Sequence, residues 1–122
     1  GSHGVQTARI IEGVEQVLTN AKADGKPFDG IIVYGDTNST LAASIAAVKI
    51  HIPVFHIEAG LRSFNMSMPE EVNRIVCDQL STILFTPTLT GQNNLAQEGF
   101  TEGGCRVRSR GLEVAPRRTY YR

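Results

Sequence analysis

Between Val5 and about Lys22 the apolar residues Ile10, Ile11, Val14, Val17 and Leu18 return at spacings of three and four, the period of a helix with one buried stripe, and DGKP ends it. Ile31 to Tyr34 breaks that period. It is a short, uninterrupted apolar run between turn residues, which suits a strand covered on both faces, as in a parallel sheet. Thr37, Asn38 and Ser39 then offer caps for an alanine-rich segment, and alanine is the best helix former. A second strand is expected over Ile52 to Ile57, followed by the loop GLRSFNMSM, in which Met66 and Met68 are expected to pack. Pro69 stands where a helix favours proline, in its first turn, and Val72, Ile75, Val76 and Leu80 are expected to form the buried face of that helix. Ser81 to Phe85 reads as a third strand, TPTLTG as a turn and cap, and Leu89 to Glu98 as a helix closed by Gly99.

Helix, strand, helix, strand, helix, strand, helix is the order of an α/β fold. It predicts a partial Rossmann-like parallel sheet with helices on both faces. Residues 1–102 form the expected domain, and 103–122 are expected to be an irregular basic tail. The 122 residues, 41% hydrophobic and 20% charged, suit a single globular domain, with no apolar run long enough to span a bilayer and no signal-peptide core. A cytoplasmic protein without membrane attachment is the expectation.

The formal net charge of zero conceals an asymmetry: residues 1–102 sum to −5, while 103–122 hold six arginines against one glutamate and sum to +5. An acidic main body argues against nucleic acid as a partner, because phosphate binding needs clustered Lys and Arg. Cys77 and Cys105 lack CxxC spacing and are expected as free thiols, and His3, His51 and His56 are too scattered for a metal motif. Neither GxGxxG, a Walker A loop nor GxSxG occurs, which argues against nicotinamide cofactors, P-loop chemistry and serine hydrolysis.

Open α/β sheets bind ligands beyond the carboxyl ends of their strands, so the residues just after each run matter most. These are Gly35, Asp36, Thr37 and Asn38 after the first strand, Glu58, Ala59, Gly60 and Arg62 after the second, and Thr86 and Thr88 after the third. Each polar residue also has a structural reading. Asp36 could cap the next helix, Glu58 could pair with Arg62, and Glu70 and Glu71 suit the positive end of a helix dipole. Arg74, four residues after Glu70 and four before Asp78, could pair with both, and His56 reads as a satisfied core histidine on the face of the strand that carries Glu58.

Together GDTNSTLA, HIEAGLRSFN and MPEEVNRIVCD, with LFTPT as a weaker match, resemble the N-terminal lobe of the UDP-N-acetylglucosamine 2-epimerase family, of the non-hydrolysing type. The resemblance runs from about Gly4 to Phe100. It implies one lobe of a glycosyltransferase-B-like two-lobe fold, with a UDP-sugar bound between the lobes, no cofactor and no metal, and a homodimer in the full-length enzyme. The implied reaction interconverts UDP-N-acetylglucosamine and UDP-N-acetylmannosamine by anti elimination of UDP to a 2-acetamidoglucal and re-addition on the other face. Hydrolysing relatives release N-acetylmannosamine instead.

By motif the family's catalytic carboxylates fall on Asp36, Glu58 and Glu70, while Arg62, Glu71, Arg74 and Thr37 are assigned to binding or orienting the substrate. Two alternatives stay open: a 2-epimerase of a UDP-diacetamido uronic acid, which SFNMSMPEE also resembles, and a non-catalytic fragment. The family's first strand and second lobe have no counterpart in the sequence, and GGCRVRSRGLEVAPRRTYYR does not follow the family pattern. The chain alone is therefore expected to be inactive.

Overall fold

The computed structural model describes residues 1–100 and, as a strand, Glu113–Pro116. In chain order the elements are α1 (His3–Ala23), β1 (Ile31–Tyr34), α2 (Asn38–Lys49), β2 (Val54–Ile57), α3 (Pro69–Leu80), β3 (Ile83–Thr86), α4 (Leu89–Gln97) and β4 (Glu113–Pro116). The sheet order is β1-β2-β3-β4: β1, β2 and β3 run parallel, and β4 pairs antiparallel with β3. The sequence reading expects only an irregular segment where β4 lies. Cys105 and the rest of the basic tail fall outside the described residues.

Strand register explains the core. Ile31, Val33, Val54, His56 and Leu84 fall on one face of the sheet, and Ile32, Tyr34, Phe55, Ile57, Ile83 and Phe85 on the other. The first face is closed. Leu18 of α1 and Ala47 of α2 pack with Val33 and Val54, while Leu95 of α4 packs with Leu84, Ala59 and Phe100. Because α3 reaches the same face through a contact between Asp78 and His56, all four helices share it. The expected cover on both faces is thus met on one. On the other, Ile32 is 70% and Tyr34 67% exposed, so β1 is not buried on both sides within the described residues.

The turn chemistry follows the sequence more closely. Thr37 caps α2 by accepting from the Thr40 amide, and Thr88 caps α4 by accepting from that of Gly91. Pro69 opens α3 with Glu70 and Glu71 in its first turn. The inward side of α3 departs from expectation. Its buried residues are Glu71, Asn73, Cys77 and Asp78, whereas Val72 is exposed and Ile75, Val76 and Leu80 are only partly buried. Met66 and Met68, expected to pack, are 62% and 40% exposed. No described helix is long and apolar enough to cross a membrane.

Candidate active site

Three parallel strands stop at one rim, and the chain turns sharply after each of the first two. After β1, Gly35 takes φ +79°, a left-handed conformation that glycine adopts without penalty, and its N–H donates to the Ile57 carbonyl at 3.1 Å. The tight turn delivers Asp36. After β2, Glu58 itself takes φ +71°, which an L side chain adopts at a cost of about 1–2 kcal/mol. Gly60 follows at φ +82°, where a Cβ would collide with the Gly91 carbonyl at the start of α4. The glycine of HIEAG is thus required by close backbone approach as well as by its torsion angle.

These turns aim two carboxylates at one cation. Arg74 of α3 places Nη2 2.9 Å from Asp36 Oδ2 and 3.4 Å from Glu58 Oε2. Asp36 and Glu58 remain about a third exposed, so the pair faces solvent while the arginine behind it is 11% exposed. Two carboxylates against one guanidinium leave one negative charge uncompensated, and Arg74 Nε is buried with no partner among the described residues. Asn73 reinforces the arrangement by donating from Nδ2 to the Asp36 carbonyl at 2.9 Å and to Asn38 Oδ1 at 3.0 Å.

The remaining expected site residues are distributed differently. Glu70 is exposed on the first turn of α3, with no hydrogen bond or ion pair among the described residues. Its neighbour Glu71 is buried, and its carboxylate accepts from the Phe64 amide at 2.5 Å, pinning a loop residue with φ +57°. Burial works against the charged form of Glu71. The Ser63 and Phe64 amides, the Ser63 hydroxyl and the Arg62 guanidinium together outweigh burial and hold the carboxyl below its ordinary value of 4.5. Thr37 is occupied by its cap, so Asp36 is released from the capping role the sequence left open.

Arg62 does not form the Glu58 pair that the sequence left open. It pairs neither with Glu58 nor with any other member of the exposed carboxylate pair: its Nη2 lies 2.8 Å from Asp78 Oδ2 and 2.8 Å from Glu98 Oε2, and its side chain is 3% exposed. Arg74 likewise turns away from Glu70 and Asp78, its helical neighbours, toward the strand ends. Asp78, to which the sequence assigns no site role, is the hub of a second, buried assembly with His56, Arg62 and the Gly60 amide. Helical period gave no signal for it, because Asp78 lies off the stripe formed by Val72, Ile75, Val76 and Leu80.

Comparison with known proteins gives these motifs a context. The family model described as UDP-N-acetylglucosamine 2-epimerase matches residues 1–107. The chain is 50% identical over 107 residues to the UDP-2,3-diacetamido-2,3-dideoxy-D-glucuronate 2-epimerase of Pseudomonas aeruginosa, covering 88% of this chain and 29% of that protein. Among solved structures, the Methanocaldococcus jannaschii UDP-GlcNAc 2-epimerase in complex with UDP-GlcNAc and UDP superposes with a TM-score of 0.77 at 47% identity, over 84% of this chain and 27% of that one. The Neisseria meningitidis UDP-GlcNAc 2-epimerase bound to UDP-GlcNAc gives a TM-score of 0.75 at 44% identity, over 83% and 26%. The chain therefore spans less than a third of the length of these relatives. With the family model matching most of the chain, and the α/β lobe, GDT turn and HIEAG strand end in place, this protein belongs to the UDP-N-acetylglucosamine 2-epimerase family.

Proposed function

We propose that this chain forms one wall of a UDP-sugar site whose reaction is the 2-epimerisation of UDP-N-acetylglucosamine, with Asp36, Glu58 and Glu70 as the acid–base groups. The carrying observation is the convergence of Asp36 and Glu58 on Arg74 at the carboxyl ends of β1 and β2. In the reaction a carboxylate takes the proton from C2 of the sugar as the C1–O bond to UDP breaks. UDP then returns across the resulting double bond while a proton is delivered to the opposite face of C2. A base and an acid on a shared rim meet that requirement, and Arg74 holds two of them in fixed directions.

Glu70, exposed at the start of α3, is proposed to meet the sugar only when substrate lies along the rim. Arg74, Thr37 and Glu71 are proposed to order the walls of the site, and Arg62 to act from below through Asp78. A homodimer of the longer polypeptide and a cytoplasmic location belong to the same reading, since a charged nucleotide sugar does not cross a membrane unaided. The 50% identity to the diacetamido-glucuronate epimerase favours a second reading in which the sugar is that uronate.

A chimera tests both. Residues 4–100 of this chain replace the matching segment of the Methanocaldococcus jannaschii enzyme, and each UDP-sugar is assayed. Epimerisation of UDP-N-acetylglucosamine, lost by at least two orders of magnitude in Glu58→Gln, is the expected result. A folded chimera that turns over only the uronate selects the second reading. Near-normal turnover by Glu58→Gln removes that residue from the mechanism.

A further inference from the structure

His56 lies on the buried face of β2 with no solvent exposure, and both of its ring nitrogens have partners. Nδ1 is 2.6 Å from Asp78 Oδ1, and Nε2 is 2.8 Å from the Gly35 carbonyl. The carbonyl can only accept. Asp78 is held as an acceptor too, because Oδ2 already receives the Gly60 amide at 3.0 Å and Arg62 Nη2 at 2.8 Å. An imidazole between two acceptors satisfies both only when each ring nitrogen donates, which requires the doubly protonated ring.

Charge balance allows this. The assembly holds His56 and Arg62 against Asp78 and Glu98, two cations and two anions, with every contact at hydrogen-bond distance. The neighbouring ionisable group on α3 does not compete: burial pushes the Cys77 thiol up to about 11, so it stays neutral beside Ser44.

The consequence falls on Asp36. The Gly35 N–H is tied to the Ile57 carbonyl and its C=O to His56, so both sides of the residue preceding Asp36 are anchored on β2. The Asp36 carbonyl is held in turn by Asn73. We propose that His56 is a positioning residue, an imidazolium that joins Asp78 of α3 to the Gly35 carbonyl and thereby fixes the direction of the Asp36 carboxylate. This role rests on the proposed site for its functional meaning, but its physical content is independent of turnover.

The test is nitrogen-15 and carbon-13 NMR of this chain at neutral pH. The wild-type His56 ring gives two N–H protons, each on its own nitrogen, and a through-hydrogen-bond coupling links Nε2 to the Gly35 carbonyl carbon. A ring with one unprotonated nitrogen, or no coupling to Gly35, overturns the proposal without recourse to any variant. In Asp78→Asn the ring loses one proton and the Asp36 carboxyl resonance moves by several linewidths. Ser44→Ala, which perturbs the same buried layer away from His56, leaves that resonance in place, and equal displacement in the two variants refutes the positioning role. An inactive chimera alongside the imidazolium spectrum would refute the proposed function and leave this inference standing.

Discussion

Two clusters of acid and base side chains lie close together at the strand ends and are built on opposite principles. In the inner one, His56, Asp78 and Arg62 are 0%, 0% and 3% exposed, and each carboxylate oxygen of Asp78 meets a nitrogen at hydrogen-bond distance. In the outer one, Asp36 and Glu58 share one arginine among the described residues and stay about a third exposed, Arg74 Nε has no partner among the described residues, and Glu58 is left-handed. A buried ion cluster survives only when every partner is present, since an unpaired charge in a low-dielectric interior is strongly unfavourable. The outer cluster is held in a conformation that the backbone alone disfavours, a condition that gathers at functional sites. The inner cluster therefore supports, and the outer one is available to a ligand.

Removing the hub of the inner cluster is the harshest test of that contrast. Asp78→Asn leaves Arg62 and His56 facing a neutral amide, and the expected loss is about 4 kcal/mol in urea unfolding. A loss below about 1 kcal/mol would place the inner cluster among weak surface pairs and dissolve the distinction.

Glu71 is an intermediate case, a buried carboxylate whose main task is one loop amide. Its folded pKa is lowered, so its stabilisation is present above the unfolded value and is lost as pH falls through the lower folded value. Glu71→Gln is expected to cost about 1.5 kcal/mol at neutral pH, the low end for a hydrogen bond to a charged acceptor. The variant should also show a flatter decline in stability below pH 4.5 than the wild type and faster hydrogen exchange at Phe64. Unchanged exchange at that amide would detach Glu71 from the loop.

The outer cluster should respond with the opposite sign. Glu58→Gly relieves the left-handed torsion and removes a carboxylate from an over-acidic pair, so thermal unfolding should report a gain of about 1 kcal/mol. The same change in the chimera should abolish epimerisation. A destabilised variant would mean that Glu58 holds the fold together, as Asp78 does. The smallest effect is kinetic: with its thiol raised to about 11, Cys77 should react with an alkylating reagent at pH 8 only on unfolding. Rapid labelling at Cys77 itself, mapped apart from Cys105 in the native chain, would show that the layer beneath His56 opens readily.

The first-turn glutamates show how far the residues could be read in advance. Glu70 and Glu71 are indistinguishable by spacing alone, and the family motif assigns the first to catalysis. Folding separates them, because Glu70 turns outward from the first turn of α3 while Glu71 turns in to the Phe64 loop. The α3 stripe shows the limit of hydrophobic patterning. Val72, Ile75, Val76 and Leu80 have the right period, but the side of the helix that meets β2 encounters a histidine, a backbone amide and an arginine, and carries Asp78 there.

Sequence alone determined the order of elements from α1 to α4, caps within Thr37–Ser39 and within TPTLTG, turn residues flanking β1, the family, and the placing of Asp36 and Glu58 at strand ends. These follow from local periodicity, backbone torsion preference and motif, all of which are written in neighbouring residues. Only the tertiary structure decided which cation serves which acid. Helical spacing offered Arg74 to Glu70 and Asp78, and chain proximity offered Arg62 to Glu58. Parallel strands ending at one rim instead carry Arg74 across to Asp36 and Glu58 and leave Arg62 buried on Asp78. Ion pairing depends on distance in space and on burial, which local spacing does not encode.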